Sequence, residues 1–151
     1  MDRKNSTRST GLSGLLNKAA HKYNLYIIYA FGSNGKNVAS LLENKALSLE
    51  IRTPSDVDIG VRPASGKTLT IKEKVNLTLE LEDLFSVKRL DLVVIPEVDP
   101  FLAANIIRGE RIYCRDQLQA DEYDLYILRR AGDLIPLERE RISLIMREKI
   151  R

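Results

Sequence analysis

Apolar residues at Leu12, Leu15, Leu16, Ala19 and Tyr23 recur at helical spacing and predict a first helix, capped by Thr10 or Ser13. The next run, Leu25 to Phe31 (LYIIYAF), is β-branched and aromatic and reads as a buried strand. It stops at the turn signal Gly32-Ser33-Asn34-Gly35. A weaker helical pattern, with Val38, Leu41, Leu42 and Leu49, covers Asn37 to Leu49 and ends at Thr53-Pro54. Val57, Ile59 and Val61 then alternate with Asp56, Asp58 and Gly60, the period of a strand with one apolar and one polar side.

A turn follows at Pro63 to Gly66, and Ile71 to Phe85 is helical, with Ile71, Val75, Leu81, Leu84 and Phe85 among charges. Arg89 to Ile95 (RLDLVVI) is a third strand, ended by Pro96. Asp99-Pro100 is an N-cap with proline at the first helical position, and that helix ends at Gly109. Ile112 to Cys114 is a short strand. Asp121 to Arg130 is a helix broken at Gly132-Asp133, and a last helix runs to about Ile150. Its apolar side, with Ile135, Ile142, Ile145 and Met146, can pack on the chain's own sheet or on another protein. The order α-β-(α)-β-α-β-α-β-α-α predicts an α/β (α+β) fold, a mixed sheet of about four strands packed with helices.

Composition narrows the class. The 151 residues suit one domain, 1–151, with 1–9 polar and expected to be flexible. Hydrophobic residues at 44% and charged residues at 30% fit a globular chain. A single cysteine, Cys114, excludes an intramolecular disulfide and fits a cytoplasmic location. No apolar run is long enough to span a bilayer, and the basic N-terminus lacks the apolar core of a secretory signal. The net charge of +3 fits a mixed solvated surface, with no basic run interleaved with aromatics to mark nucleic acid as a direct partner. The lone His21 has no second histidine with which to hold a metal, and reads as a surface or packing residue.

The candidate chemistry lies between Leu25 and Asp91. Residues two apart on a strand project to one side, so Asp56 and Asp58 form a pair of like charges that a cation would relieve. Hard oxygen ligands suit Mg²⁺, which is held by one or two carboxylates together with substrate phosphates. Asp91 begins another apolar strand, and joins the pair if the two strands are neighbours. Gly32-Ser33 ends a strand before a helix, where close backbone approach and free N–H groups favour a phosphate, and Lys36 can add charge. Each signal alone is common. Their order, FGS, then SDVDIGV, then RLDLVVI, is much more specific.

That set resembles the DNA polymerase beta-type nucleotidyltransferase superfamily, in particular its minimal nucleotidyltransferases. DPFLAANIIRGERIYCRD and YDLYILRRAGDLIPLERERI resemble the downstream segments of the MntA-like antitoxins that act beside HEPN-domain toxins, so the resemblance covers about residues 12–148. It implies that Gly32 and Ser33 hold a triphosphate, that Asp56 and Asp58 bind Mg²⁺, and that Asp91 helps bind metal and activate the attacking hydroxyl. The implied reaction transfers AMP from ATP to a hydroxyl, in such antitoxins a tyrosine of the HEPN-type RNase toxin. The chain departs from the family in the 22 residues between Ser33 and Asp56, which make 34–54 an expected insertion, and in Asn34-Gly35-Lys36 after the glycine and serine. Residues 115–151 are the expected C-terminal helices. Two other readings share the motifs: an inert antitoxin that neutralises its toxin by contact, and a small-molecule nucleotidyltransferase of the antibiotic-modifying type. Intact acids weigh against the first, and the lack of a large substrate domain against the second.

Overall fold

The computed structural model describes residues 11–43 and 56–150. The expected flexible segment 1–9, the cap Thr10 and most of the expected insertion lie outside the described residues. The elements are α1 (Gly11–Lys22), β1 (Leu25–Phe31), α2 (Gly35–Leu42), β2 (Val57–Pro63), α3 (Ile71–Phe85), β3 (Leu90–Val94), a 3-10 turn (Ile95–Glu97), α4 (Pro100–Ile107), β4 (Glu110–Cys114) and α5 (Gln117–Ile150). The four strands form one mixed sheet, as the patterning predicts, and their order is β3-β2-β1-β4. β1 pairs antiparallel with β2 and β4, whereas β2 and β3 run parallel and are joined across α3.

Both faces of the sheet are covered, so the strands read as nearly continuous apolar runs. One core packs Leu16 and Ala20 of α1, Val38 of α2, and Leu77, Leu81 and Phe85 of α3 on Val57, Ile59 and Val61 of β2. The other packs Ala103, Ala104 and Ile106 of α4 and Tyr123, Ile127 and Ala131 of α5 on Ile27 and Tyr29 of β1. Burying a large apolar side chain contributes about 1.5–3 kcal/mol, so these two layers set the frame that holds the ends of the strands. α3 starts at a capping box in which Thr70 and Glu73 satisfy each other's backbone N–H. α4 starts as its sequence predicts, with the Asp99 carboxylate accepting from the N–H groups of Phe101 and Leu102.

A partly buried polar network fastens α5 to the sheet. Arg111 of β4 donates to Asp121 at 2.9 Å and to Asp124 at 2.7 Å, and the Tyr29 hydroxyl also donates to Asp124. Burial, and then the Asp124 carboxylate, push the Tyr29 hydroxyl's pKa well above its ordinary value.

The structure corrects several expectations. Ser13 sits inside α1 and donates to the Leu42 carbonyl at 3.3 Å, so it does not cap the helix. The described part of the second helix starts earlier than expected, at Gly35, and Asp56 lies just ahead of β2 instead of within it. The two expected C-terminal helices are one, running through Gly132 and Pro136. Its final apolar side does not pack on the chain's own sheet: Ile135, Ile142, Ile145 and Met146 are 40–53% exposed.

Candidate active site

The candidate site forms where β1 ends and β2 and β3 begin. The parallel register places Asp58 directly opposite Asp91, and the antiparallel register places it opposite Phe31, the residue before Gly32. Gly32 adopts a left-handed conformation, φ +71°, and a methyl group there would overlap the Asp58 carboxylate. Only glycine meets both demands. Three loops of sequence that are far apart in the chain thus reach one point because the sheet order puts β2 between its two partners.

Asp56 and Asp58 flank Val57, whose side chain is buried in the opposite face. Asp58 is half-buried. Burial first, then the like charges of Asp91 and Asp56, push its carboxyl above the usual carboxylate range. A cation is already drawn to the cluster. Arg89 Nε lies 3.4 Å from Asp56 Oδ2 and 3.7 Å from Asp91 Oδ1, on a side chain that is 71% exposed. As they stand, no three acidic, histidine or cysteine side chains among the described residues converge closely enough to enclose a metal ion. The donor set nevertheless fits a hard divalent cation: oxygens only, mutually repelling, and bridged by a displaceable guanidinium.

Gly32 and the acids come together, whereas no contact joins the side chains of Ser33 and Lys36 to the acids among the described residues. Ser33 is exposed one residue beyond Gly32. Lys36, in the first turn of α2, lines a cavity of about 310 Å³ together with Gly32, Asn105, Arg108 and Glu110, and none of the three acids lines it. Two supporting residues escaped the sequence reading. Asn34 is buried, and its amide donates to the Asp56 carbonyl at 3.2 Å, which ties the glycine turn to the start of β2. Arg89 is the other, and its place two residues before Asp91 was the available signal, since that spacing shares a strand side.

The family model for polymerase beta nucleotidyltransferases matches residues 15–118. The chain belongs to that family. Among solved structures, it resembles one described as the toxin–antitoxin pair MntA–HepT, with 18% identity, a TM-score of 0.63, and coverage of 89% of this chain and 97% of that one. It also resembles a toxin–antitoxin crystal structure with AMP-PNP, at 19% identity and TM-score 0.64, covering 88% of this chain and 97% of that one. A third is a tri-AMPylated Shewanella oneidensis HEPN toxin in complex with MNT antitoxin, at 18% identity and TM-score 0.64, covering 91% and 98%. At these identities the likeness is one of fold. No protein of curated function matches the sequence. No helix among the described residues is long and apolar enough to cross a membrane.

Proposed function

We propose that this protein is a Mg²⁺-dependent adenylyltransferase that modifies a hydroxyl, a tyrosine in our reading, on a HEPN-type toxin, and so serves as its antitoxin. The observation that carries the proposal is the juxtaposition of Asp58 with Asp91 across β2 and β3, with Asp56 beside them and Gly32 closed against Asp58. The likeness in fold to antitoxins solved with HEPN toxins, one of them tri-AMPylated, supports the choice of acceptor.

In this reading Asp56, Asp58 and Asp91 hold the metal, which when bound neutralises charge on the phosphates and steadies an in-line displacement. Gly32 and Ser33 bring backbone N–H groups to the triphosphate, and Lys36 neutralises its charge from the cavity it lines with Gly32. Asp91, at 51% side-chain exposure against 32% for Asp56, is open to an incoming acceptor and takes the proton of its hydroxyl. The hydroxyl oxygen forms a bond to the α-phosphorus, the bond from that phosphorus to the bridging oxygen breaks, and pyrophosphate leaves. Arg89 must swing away from Asp56 and Asp91 as the nucleotide enters, which its exposure permits.

Labelled nucleotide tests the reaction. With α-phosphate-labelled ATP, label passes to the toxin; with γ-phosphate-labelled ATP, it leaves as pyrophosphate. Label on the toxin from the γ position would make the protein a kinase and overturn the proposal. The exposed apolar side of α5 beyond Ala131 favours a second reading, an antitoxin that acts by contact alone. That reading predicts a stable complex and no transferred label.

A further inference from the structure

A second cavity, of about 290 Å³, lies at the far end of β2 from the acids, between the Pro63–Lys67 turn, the 3-10 turn and α5. Arg62 stands four residues along the strand from Asp58, about 13 Å at the usual rise. Gly60 lies between them, packed against Ile106 of α4. The cavity is therefore separate from the candidate active site.

Its lining carries three cations, Arg62, Lys67 and Arg130, two tyrosines, Tyr123 and Tyr126, and no carboxylate. Three acids near it in sequence have partners of their own. Glu97 pairs with Lys74 at 2.7 Å, Asp99 caps α4, and Asp124 pairs with Arg111. Arg62 is the unusual member. Its guanidinium lies 3.9 Å from the centre of the Tyr123 ring and 5.9 Å from that of Tyr26, yet among the described residues it has no carboxylate partner and no hydrogen-bond acceptor. Arg62 is a half-buried residue whose guanidinium keeps its donors open to an anion that enters the cavity. Tyr126 is 52% exposed, tilted 32° to Tyr123, with Arg130 beside its ring.

We propose that this cavity is a second nucleotide site, which binds a nucleoside monophosphate without the carboxylates. Arg62 and Lys67 take the phosphate, and the base stacks on Tyr126 beneath Arg130. Alternating cations and aromatic rings suit a phosphate joined to a flat ring. The volume is at the small end for ligand pockets, so it suits one nucleotide better than a strand. An acidic peptide would use the cations and leave the rings idle.

The test is calorimetric titration of the full chain in EDTA with AMP, adenosine, inorganic phosphate and an oligoglutamate peptide. AMP is expected to bind with one site, more tightly than adenosine or phosphate. Affinity should fall about tenfold in Arg62→Met, the loss expected for one charged hydrogen bond. Arg130→Gln, a change at an exposed residue, should weaken AMP several-fold, which keeps the test valid if Arg62→Met folds poorly. No AMP binding in EDTA, or affinity that survives both substitutions, overturns the proposal. Phosphate binding as tightly as AMP would remove the base-stacking role and overturn it too, and tighter binding of oligoglutamate would make this a peptide site instead.

Discussion

Two groups of carboxylates, on the same protein, are treated in opposite ways. Asp121 and Asp124 close on Arg111, and Asp124 accepts from Tyr29 as well, so each charge is answered by a partner within the chain. Asp56, Asp58 and Asp91 are gathered against one another, and among the described residues the one cation paired with them is Arg89, which is mostly exposed and lies at the long end of ion-pair distance from Asp56 and Asp91. The first arrangement joins a helix to a sheet. The second holds charge in wait for something outside the chain. Like charges crowded at the ends of neighbouring strands lower stability unless a ligand repays it, which is why perturbed carboxylates mark functional sites.

The contrast can be broken in several places. The largest effect is expected from Asp58→Ala, which should reduce adenylyl transfer to background while circular dichroism and toxin binding stay as they are. Asp124→Ala should do the reverse. It leaves Arg111 and Tyr29 without their shared acceptor and should cost about 3 kcal/mol in urea unfolding, with transfer retained by the folded fraction. A smaller effect separates charge from shape. Because the folded Asp58 carboxyl titrates above its ordinary value, the folded state binds more protons than the unfolded one there, and stability falls as pH rises through that range. Asp58→Asn should therefore melt about 1–3 °C higher than the natural chain at neutral pH, with the difference vanishing in acid, where Asp58 is protonated. Equal melting at both pH values would show that the crowding costs nothing. The smallest effect is expected from Arg89→Gln, which removes a competing cation and should tighten Mg²⁺ binding a few-fold with little change in melting temperature. Weaker Mg²⁺ binding would mean that Arg89 is part of the site instead of a placeholder.

The acids and Gly32 were legible in the sequence because two signals coincide there. The period-2 alternation of Val57, Ile59 and Val61 fixes the strand, and the polar partners at the same spacing carry the chemistry. Asp91 opposite Asp58 needed the sheet order, which no local pattern contains. Asn34 was hidden because its role is a hydrogen bond to a backbone carbonyl twenty-two positions away. The C-terminal helix was misread for a different reason. Gly132-Asp133 reads as a break, but a glycine costs a helix only about 1 kcal/mol. The ring of Pro136 faces the carbonyl four residues back, and that residue is Gly132, which leaves the turn free to adjust. Tyr123, Ile127 and Ala131 anchor the first half of α5 on the sheet, and the rest continues as an exposed helix.

In the proposed function the three acids make the protein an enzyme that acts on a partner protein. It is tested most directly by intact mass spectrometry of the proposed HEPN-type toxin after incubation with this protein, ATP and Mg²⁺. The toxin should gain one or more adenylyl units with the natural chain and none with Asp56→Ala/Asp58→Ala. An unmodified toxin held in a stable complex by both chains would contradict the claim and leave contact as the means of neutralisation.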